Sequence, residues 1–111
     1  MKKLFTNYSY KFEKNEKKLL TTFCKQALKQ MSSENKYFAE VKAFTSILEK
    51  LNSNEESIKL TKDEKIRLSE HIKQNMNYIG RQADRSFILK KWLMKSLHKQ
   101  YVSLYENHFK D

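Results

Sequence analysis

Residues 83–109 read ADRSFILKKWLMKSLHKQYVSLYENHF and hold the only tryptophan of the chain, Trp92. At about 100° per residue, Ala83, Phe87, Leu93, Met94, Leu97, Tyr101, Leu104, Tyr105 and His108 fall on one broad arc of a helix. Leu89 and Phe109 extend that arc on its two sides. Ile88, Trp92 and Val102 lie outside it, so the first half of the segment is apolar almost all round. A helix with that pattern needs cover on several sides. The stretch therefore predicts an all-α fold, a small four-helix bundle with the helix over about 84–109 at its centre.

Composition agrees with few, long elements. The chain has 111 residues, no proline and one glycine, Gly80. Turn-rich sheet proteins lean on Gly, Pro, Asn and Asp. The length is that of one domain, taken as 1–111, and is above the range where disulfides or metals are usually needed. One cysteine, Cys24, excludes an internal disulfide framework and points to a reduced, cytoplasmic location. The first residues, MKKLF, begin like a signal peptide, but the apolar run ends in TNYSYKFEK. No stretch approaches the about 20 apolar residues of a membrane span. No internal repeat or low-complexity tract is visible.

Working backwards from the 84–109 segment, three more helices are expected, over about 10–31, 33–52 and 62–79. Residues 1–9 read as a loose start. Phe12, Leu19, Leu20, Phe23, Cys24, Ala27, Leu28 and Met31 make the buried side of the first helix. Ser32 or Ser33 is the expected N-cap of the second, whose apolar stripe is Tyr37, Phe38, Val41, Phe44, Ile47, Leu48 and Leu51. Residues 52–61 form a loop whose NSNEES portion is the likeliest place for disorder. Thr61-x-x-Glu64 is a capping box that starts the third helix, with Leu60 placed to staple onto Lys65 or Ile66. Leu68, Ile72, Met76 and Ile79 form its stripe. Gly80 follows where a left-handed C-cap would sit, and Asp84 is a reasonable N-cap for the last helix. The competing reading is one long helix from Lys62 to Phe109, because the stripe passes through Ala83 in phase.

The formal net charge is +10, which suits an anionic partner: nucleic acid, a membrane surface or an acidic protein. Lysine outnumbers arginine 20 to 3, and Asn occurs 8 times, as an AT-rich genome would also produce on solvated faces. Residues 1–31 carry eight cations and two acids, 32–56 three and five, 57–80 five and three, 81–111 seven and three. Lys11, Lys14, Lys18, Lys25 and Lys29 fall within about 60° on the side of the first helix opposite its apolar arc. Such a stripe can track phosphates or be an ordinary solvated face. The stretch Gly80-Arg81-Gln82-Ala83-Asp84-Arg85-Ser86 holds two of the three arginines. Arg81, Gln82, Arg85 and Ser86 are of types that contact base edges and phosphates. A long helix, a glycine-containing turn and a second helix with a polar start is the outline of a helix-turn-helix. Ile58-Lys59-Leu60 followed by two helices also has the strand–helix–helix order of ribbon-helix-helix proteins, in which the strand pairs with that of a second chain.

Catalytic chemistry finds little support. His71, His98 and His108 are dispersed, and Cys24 stands alone on an apolar arc, so neither metal-ligand spacing nor an activated thiol is expected. One glycine cannot build a phosphate loop. Glu34, Glu40, Glu49, Glu55, Glu56, Asp63, Glu64 and Glu70 look like first-turn and surface acids. No enzyme activity and no cofactor are expected. The aromatic content, 13%, suggests a different use. Tyr78, Ile88 and Trp92 can remain exposed as a protein interface, for a partner or a homodimer. The leading expectation is a small basic regulatory or accessory protein that binds nucleic acid. The alternative is a protein-binding modulator of a larger protein. In size and lysine content, though in no motif, the chain is similar to the bacteriocin immunity proteins of Gram-positive bacteria, and short lysine-rich helical chains are common in phages and mobile elements.

Overall fold

The computed structural model describes residues 8–85 and 88–110, and for 82–85 and 88–92 the backbone alone. Among the described residues the fold is all-α: four α-helices and one two-stranded ribbon. The order is β1 (Tyr8–Tyr10), α1 (Lys14–Met31), α2 (Phe38–Leu51), β2 (Ile58–Leu60), α3 (Lys62–Arg85) and α4 (Ile88–Leu104). A 3-10 turn over Asn35–Tyr37 leads into α2, and a π-helical turn over Tyr105–Phe109 closes α4. The sequence strand–helix–helix thus occurs twice along the chain, although the amino-acid sequence shows no repeat. The chain divides into two compact units, Met1–Arg67 and Leu68–Asp111.

In the first unit, β1 and β2 pair antiparallel, with Tyr8 opposite Leu60, Ser9 opposite Lys59 and Tyr10 opposite Ile58. The helix expected from Tyr10 and the loose start expected at residues 8 and 9 are corrected here, while residues 1–7 of that expected start lie outside the described residues. Tyr8, Tyr10 and Phe12 alternate with polar residues at the period of a strand. Tyr10 and Phe12 are both buried and stack at 5.3 Å with ring planes 3° apart. Glu13 stays extended, and its N–H donates to the carboxylate of Glu16 at 2.9 Å, which opens α1. The strand β2 finds its partner in the same chain, so the ribbon needs no second copy, contrary to the ribbon-helix-helix expectation.

Packing of α1 on α2 carries the apolar interior of this unit. Leu20, Phe23 and Cys24 of α1 and Ala43, Phe44, Ile47 and Leu51 of α2 are buried. The rings of Phe23 and Phe44 meet edge to face at 6.3 Å. Ser32 does not cap α2. It ends α1, with its N–H donating to the Leu28 carbonyl at 2.9 Å and its hydroxyl donating to the same oxygen. A serine that bonds the carbonyl four residues back closes a helix as readily as it opens one. As a result α2 begins at Phe38 and not near 33. Phe38, expected in the buried stripe, is 72% exposed. It lies about 180° around the helix from Ile47, nine residues on.

The Thr61 capping box forms as expected. The Thr61 N–H donates to the Glu64 carboxylate at 2.9 Å, and the Glu64 N–H to the Thr61 hydroxyl at 3.1 Å. Residues 52–57 are fastened at several points. Lys17 donates to the Glu55 carbonyl at 3.0 Å, Ser53 donates to the Lys50 carbonyl at 2.7 Å, and Lys11 pairs with Glu56 at 3.2 Å.

In the second unit, α3 does not stop at Gly80. It continues to Arg85, and neither Gly80 nor any other described residue has a positive φ. The glycine answers a close approach instead: a Cβ at position 80 would stand 3.1 Å from Nε2 of His98 on α4. Asp84 is therefore inside α3, not the N-cap of α4, and α4 begins at Ile88. Leu68, Ile72 and Ile79 are buried as expected, as are Tyr101, Leu104 and Phe109. Leu93, placed on the inner arc by the sequence, is 63% exposed. No helix among the described residues is long and apolar enough to cross a membrane.

Candidate nucleic-acid interface

The lysine stripe of α1 survives in the structure with one change of status. Lys14, Lys18, Lys25 and Lys29 lie on the helix and are all exposed. Their spacing of four, seven and four residues keeps them within about 60° of arc. None of the four has an ion pair among the described residues. Lys11 is exposed too, but it precedes the helix and is held by Glu56. Buried Leu20, Phe23 and Cys24 fix the opposite side of α1, so the stripe cannot rotate inward.

The second basic candidate changes form. Gly80–Ser86 was expected as a turn between helices. The backbone is helical from Gly80 through Arg85, so the expected turn is not at these residues, and Ser86 at its end lies outside the described residues. Arg81 is exposed near the end of α3. The side chains of Gln82, Arg85, Ile88 and Trp92, and Ser86 entirely, lie outside the described residues. Of the expected protein-interface residues, Tyr78 is 53% exposed.

Acidic groups near α2 and α3 are engaged structurally. Glu64 is buried, and Lys50 donates to its carboxylate at 2.7 Å. Burial alone would raise its pKa. The hydrogen bonds from Lys50, Ser46 and the Thr61 backbone prevail and hold it below the ordinary value. Arg67 bridges two elements. Its Nε contacts both Asp63 oxygens at 3.0 and 3.1 Å, and its Nη1 donates to Glu40 at 2.7 Å. The one arginine outside the Gly80–Ser86 stretch is thus committed to joining α2 and α3. Cys24 is fully buried, and its thiol is pushed up to about 12 by that burial, which leaves it inert as a nucleophile. Among the described residues no group of three or more His, Cys, Asp or Glu is placed to hold a metal ion.

Two features escaped the sequence reading. One is a cleft of about 430 Å³ lined by Phe38, Ala39, Lys42, Ser46, Asp63 and Glu64, among others. It exists because Phe38 falls off the buried stripe of α2, which the phase relative to Ile47 could have shown. The other is the ribbon, whose alternating YSYKF was legible as a strand only once its partner IKL was known. No family model, curated protein or solved structure matches the chain.

Proposed function

We propose that the chain is a small non-enzymatic accessory protein that binds nucleic acid through the phosphate backbone. The observation that carries this reading is the α1 stripe. Lys14, Lys18, Lys25 and Lys29 are exposed on one side of a helix whose other side is locked into the interior. Lysines act as flexible point charges and suit contact with a phosphate array better than shaped recognition of a single anion. The chain as a whole carries 23 cations and 13 acids, which favours fast encounter with a polyanion. On this reading the committed Arg67 is a strut.

Anisotropy titration with mixed-sequence duplex DNA at about 50 and about 200 mM salt tests the reading. Binding should weaken by at least tenfold across that interval. The variant Lys14→Gln/Lys18→Gln/Lys25→Gln/Lys29→Gln should lose affinity and lower the slope of log K against log salt by roughly 3 to 4. A folded wild-type protein that binds no nucleic acid at the lower salt would sink the proposal. One observation favours a second reading, a protein-binding module: Phe38 stands 72% exposed at the rim of the α2–α3 cleft. Binding to a protein through that face would tolerate salt far better.

A further inference from the structure

The ribbon has one face that the fold does not use. Successive side chains of a strand point to opposite faces. Tyr10, Ile58 and Leu60 are buried, while Ser9 and Lys59 are exposed. Ser9 and Lys59 are also direct cross-strand partners. The middle of the outer face is therefore a hydroxyl beside an ammonium, and neither has a hydrogen bond or ion pair among the described residues. Positive charge continues alongside. Lys62 is exposed at the start of α3, and the Lys65 ammonium lies 4.6 Å from the centre of the Tyr8 ring.

The helix starts that follow the two strands each already hold a carboxylate. The carboxylate of Glu16 takes the Glu13 N–H, and Thr61 and Glu64 satisfy each other. A helix N-terminus attracts phosphate through free N–H groups and a positive dipole end. Here the Glu13 and Thr61 N–H groups are taken by carboxylates and the Glu64 N–H by the Thr61 hydroxyl, so each helix start carries a negative charge of its own. Contacts at this end of the molecule fall to side chains on the ribbon.

Dimensions select the groove. Two paired strands stand about 5 Å apart. The major groove of B-form DNA, about 12 Å wide, admits a two-stranded ribbon, and the minor groove, about 6 Å wide, does not. We infer that the outer face of the β1–β2 ribbon enters the major groove of duplex DNA, with Lys59 donating to the O6/N7 edge of a guanine and Ser9 hydrogen-bonding beside it. The inference rests on the nucleic-acid reading above. Both strands come from one chain, because the strand–helix–helix order occurs twice, so one chain forms a complete reading element. The α1 lysines supply sequence-independent affinity, and the ribbon supplies contact with bases.

The test uses the full chain and a duplex of about two helical turns at low salt. Lys59→Ala should weaken binding by about 5-fold or more, the loss of one base-edge contact, and Lys59→Arg should restore it. Methyl green, which occupies the major groove, should displace the protein, whereas netropsin, a minor-groove ligand, should not. Stoichiometry should be one chain per site. Unchanged affinity for a folded Lys59→Ala variant, displacement by netropsin alone, or an obligatory pair of chains would overturn the inference. If the wild type binds and only the α1 variant fails, the ribbon is not the reading element and the backbone-binding proposal stands. If the wild type does not bind, both fall.

Discussion

At the scale of single residues, three positions show how close surroundings decide what a residue can do. Glu64 is held below the ordinary carboxylate value by Lys50, Ser46 and the Thr61 backbone. A depressed folded-state pKa stabilises the native state at neutral pH, and the contribution disappears as pH falls through that value. Glu64→Gln should therefore cost about 1 to 2 kcal/mol at pH 7, typical of a lost hydrogen bond to a charged group. The gap from wild type should begin to narrow below about pH 4, where the unfolded-state carboxyl protonates first, and close once pH has fallen past the lower folded-state value. Urea melts of both proteins at several pH values check this, and a constant gap would overturn the assignment. Cys24, fully buried with its thiol pushed up to about 12, should resist alkylation at pH 8 in the native state and react at once in denaturant. Fast native labelling would show that α1 opens. Gly80 sits mid-helix, where alanine would normally gain about 1 kcal/mol. A Cβ there would crowd His98 at 3.1 Å, so Gly80→Ala should gain less than that in the wild type. In a His98→Ala background the full gain should return. A double-mutant cycle with no coupling between the two positions would remove close approach as the reason for the glycine.

At the scale of elements, legibility in the sequence followed length. The bodies of α1, α2 and α3 were readable, because Leu20–Phe23–Cys24, Phe44–Ile47–Leu51 and Leu68–Ile72–Ile79 repeat at helical spacing, and each of these residues is buried. The Thr61–Glu64 box was readable for the same local reason, since both partners lie within one turn. What failed was non-local. A three-residue strand cannot be told from a helix start by periodicity, and Tyr8–Tyr10 becomes a strand only because Ile58–Leu60, fifty residues away, pairs with it. Gly80 read as a helix stop because glycine at a helix end is the commoner use. Its actual constraint, His98, is eighteen residues on. The candidate site divides in the same way. The α1 stripe was visible as spacing, but the exposed Ser9–Lys59 pair depends on a register that no local pattern encodes. The ribbon's role in the fold is testable too. Replacing Tyr10, buried and stacked on Phe12, with alanine should cost about 3 kcal/mol, as for other buried aromatics. A cost under about 1 kcal/mol would mean the ribbon is a surface ornament.

At the scale of the whole molecule, the excess of positive charge has a consequence independent of any partner. Residues 1–67 carry fifteen cations and nine acids, and 68–111 carry eight and four. Neither part holds surplus acids that could neutralise the other. Even if all thirteen acids were paired, ten cations would have no partner. Such an excess destabilises the compact state by self-repulsion. Added salt screens that repulsion, while the exposed ion pairs it also weakens are worth little. The partly buried Lys50–Glu64 pair is screened less. Sodium chloride raised from about 20 to about 300 mM should therefore lift the melting temperature of the free protein by a few degrees, about 0.5 to 1 kcal/mol at this size. A complex with duplex DNA should respond in the opposite sense. Bound DNA stabilises the fold by mass action, and salt removes that gain as the phosphates recover their counterions. Two melts over the same salt series, with and without duplex, should thus have slopes of opposite sign and converge at high salt. If the two curves coincide at every salt concentration, the charge excess is a burden on the fold with no polyanion to relieve it, and the α1 lysines are a solvated face only.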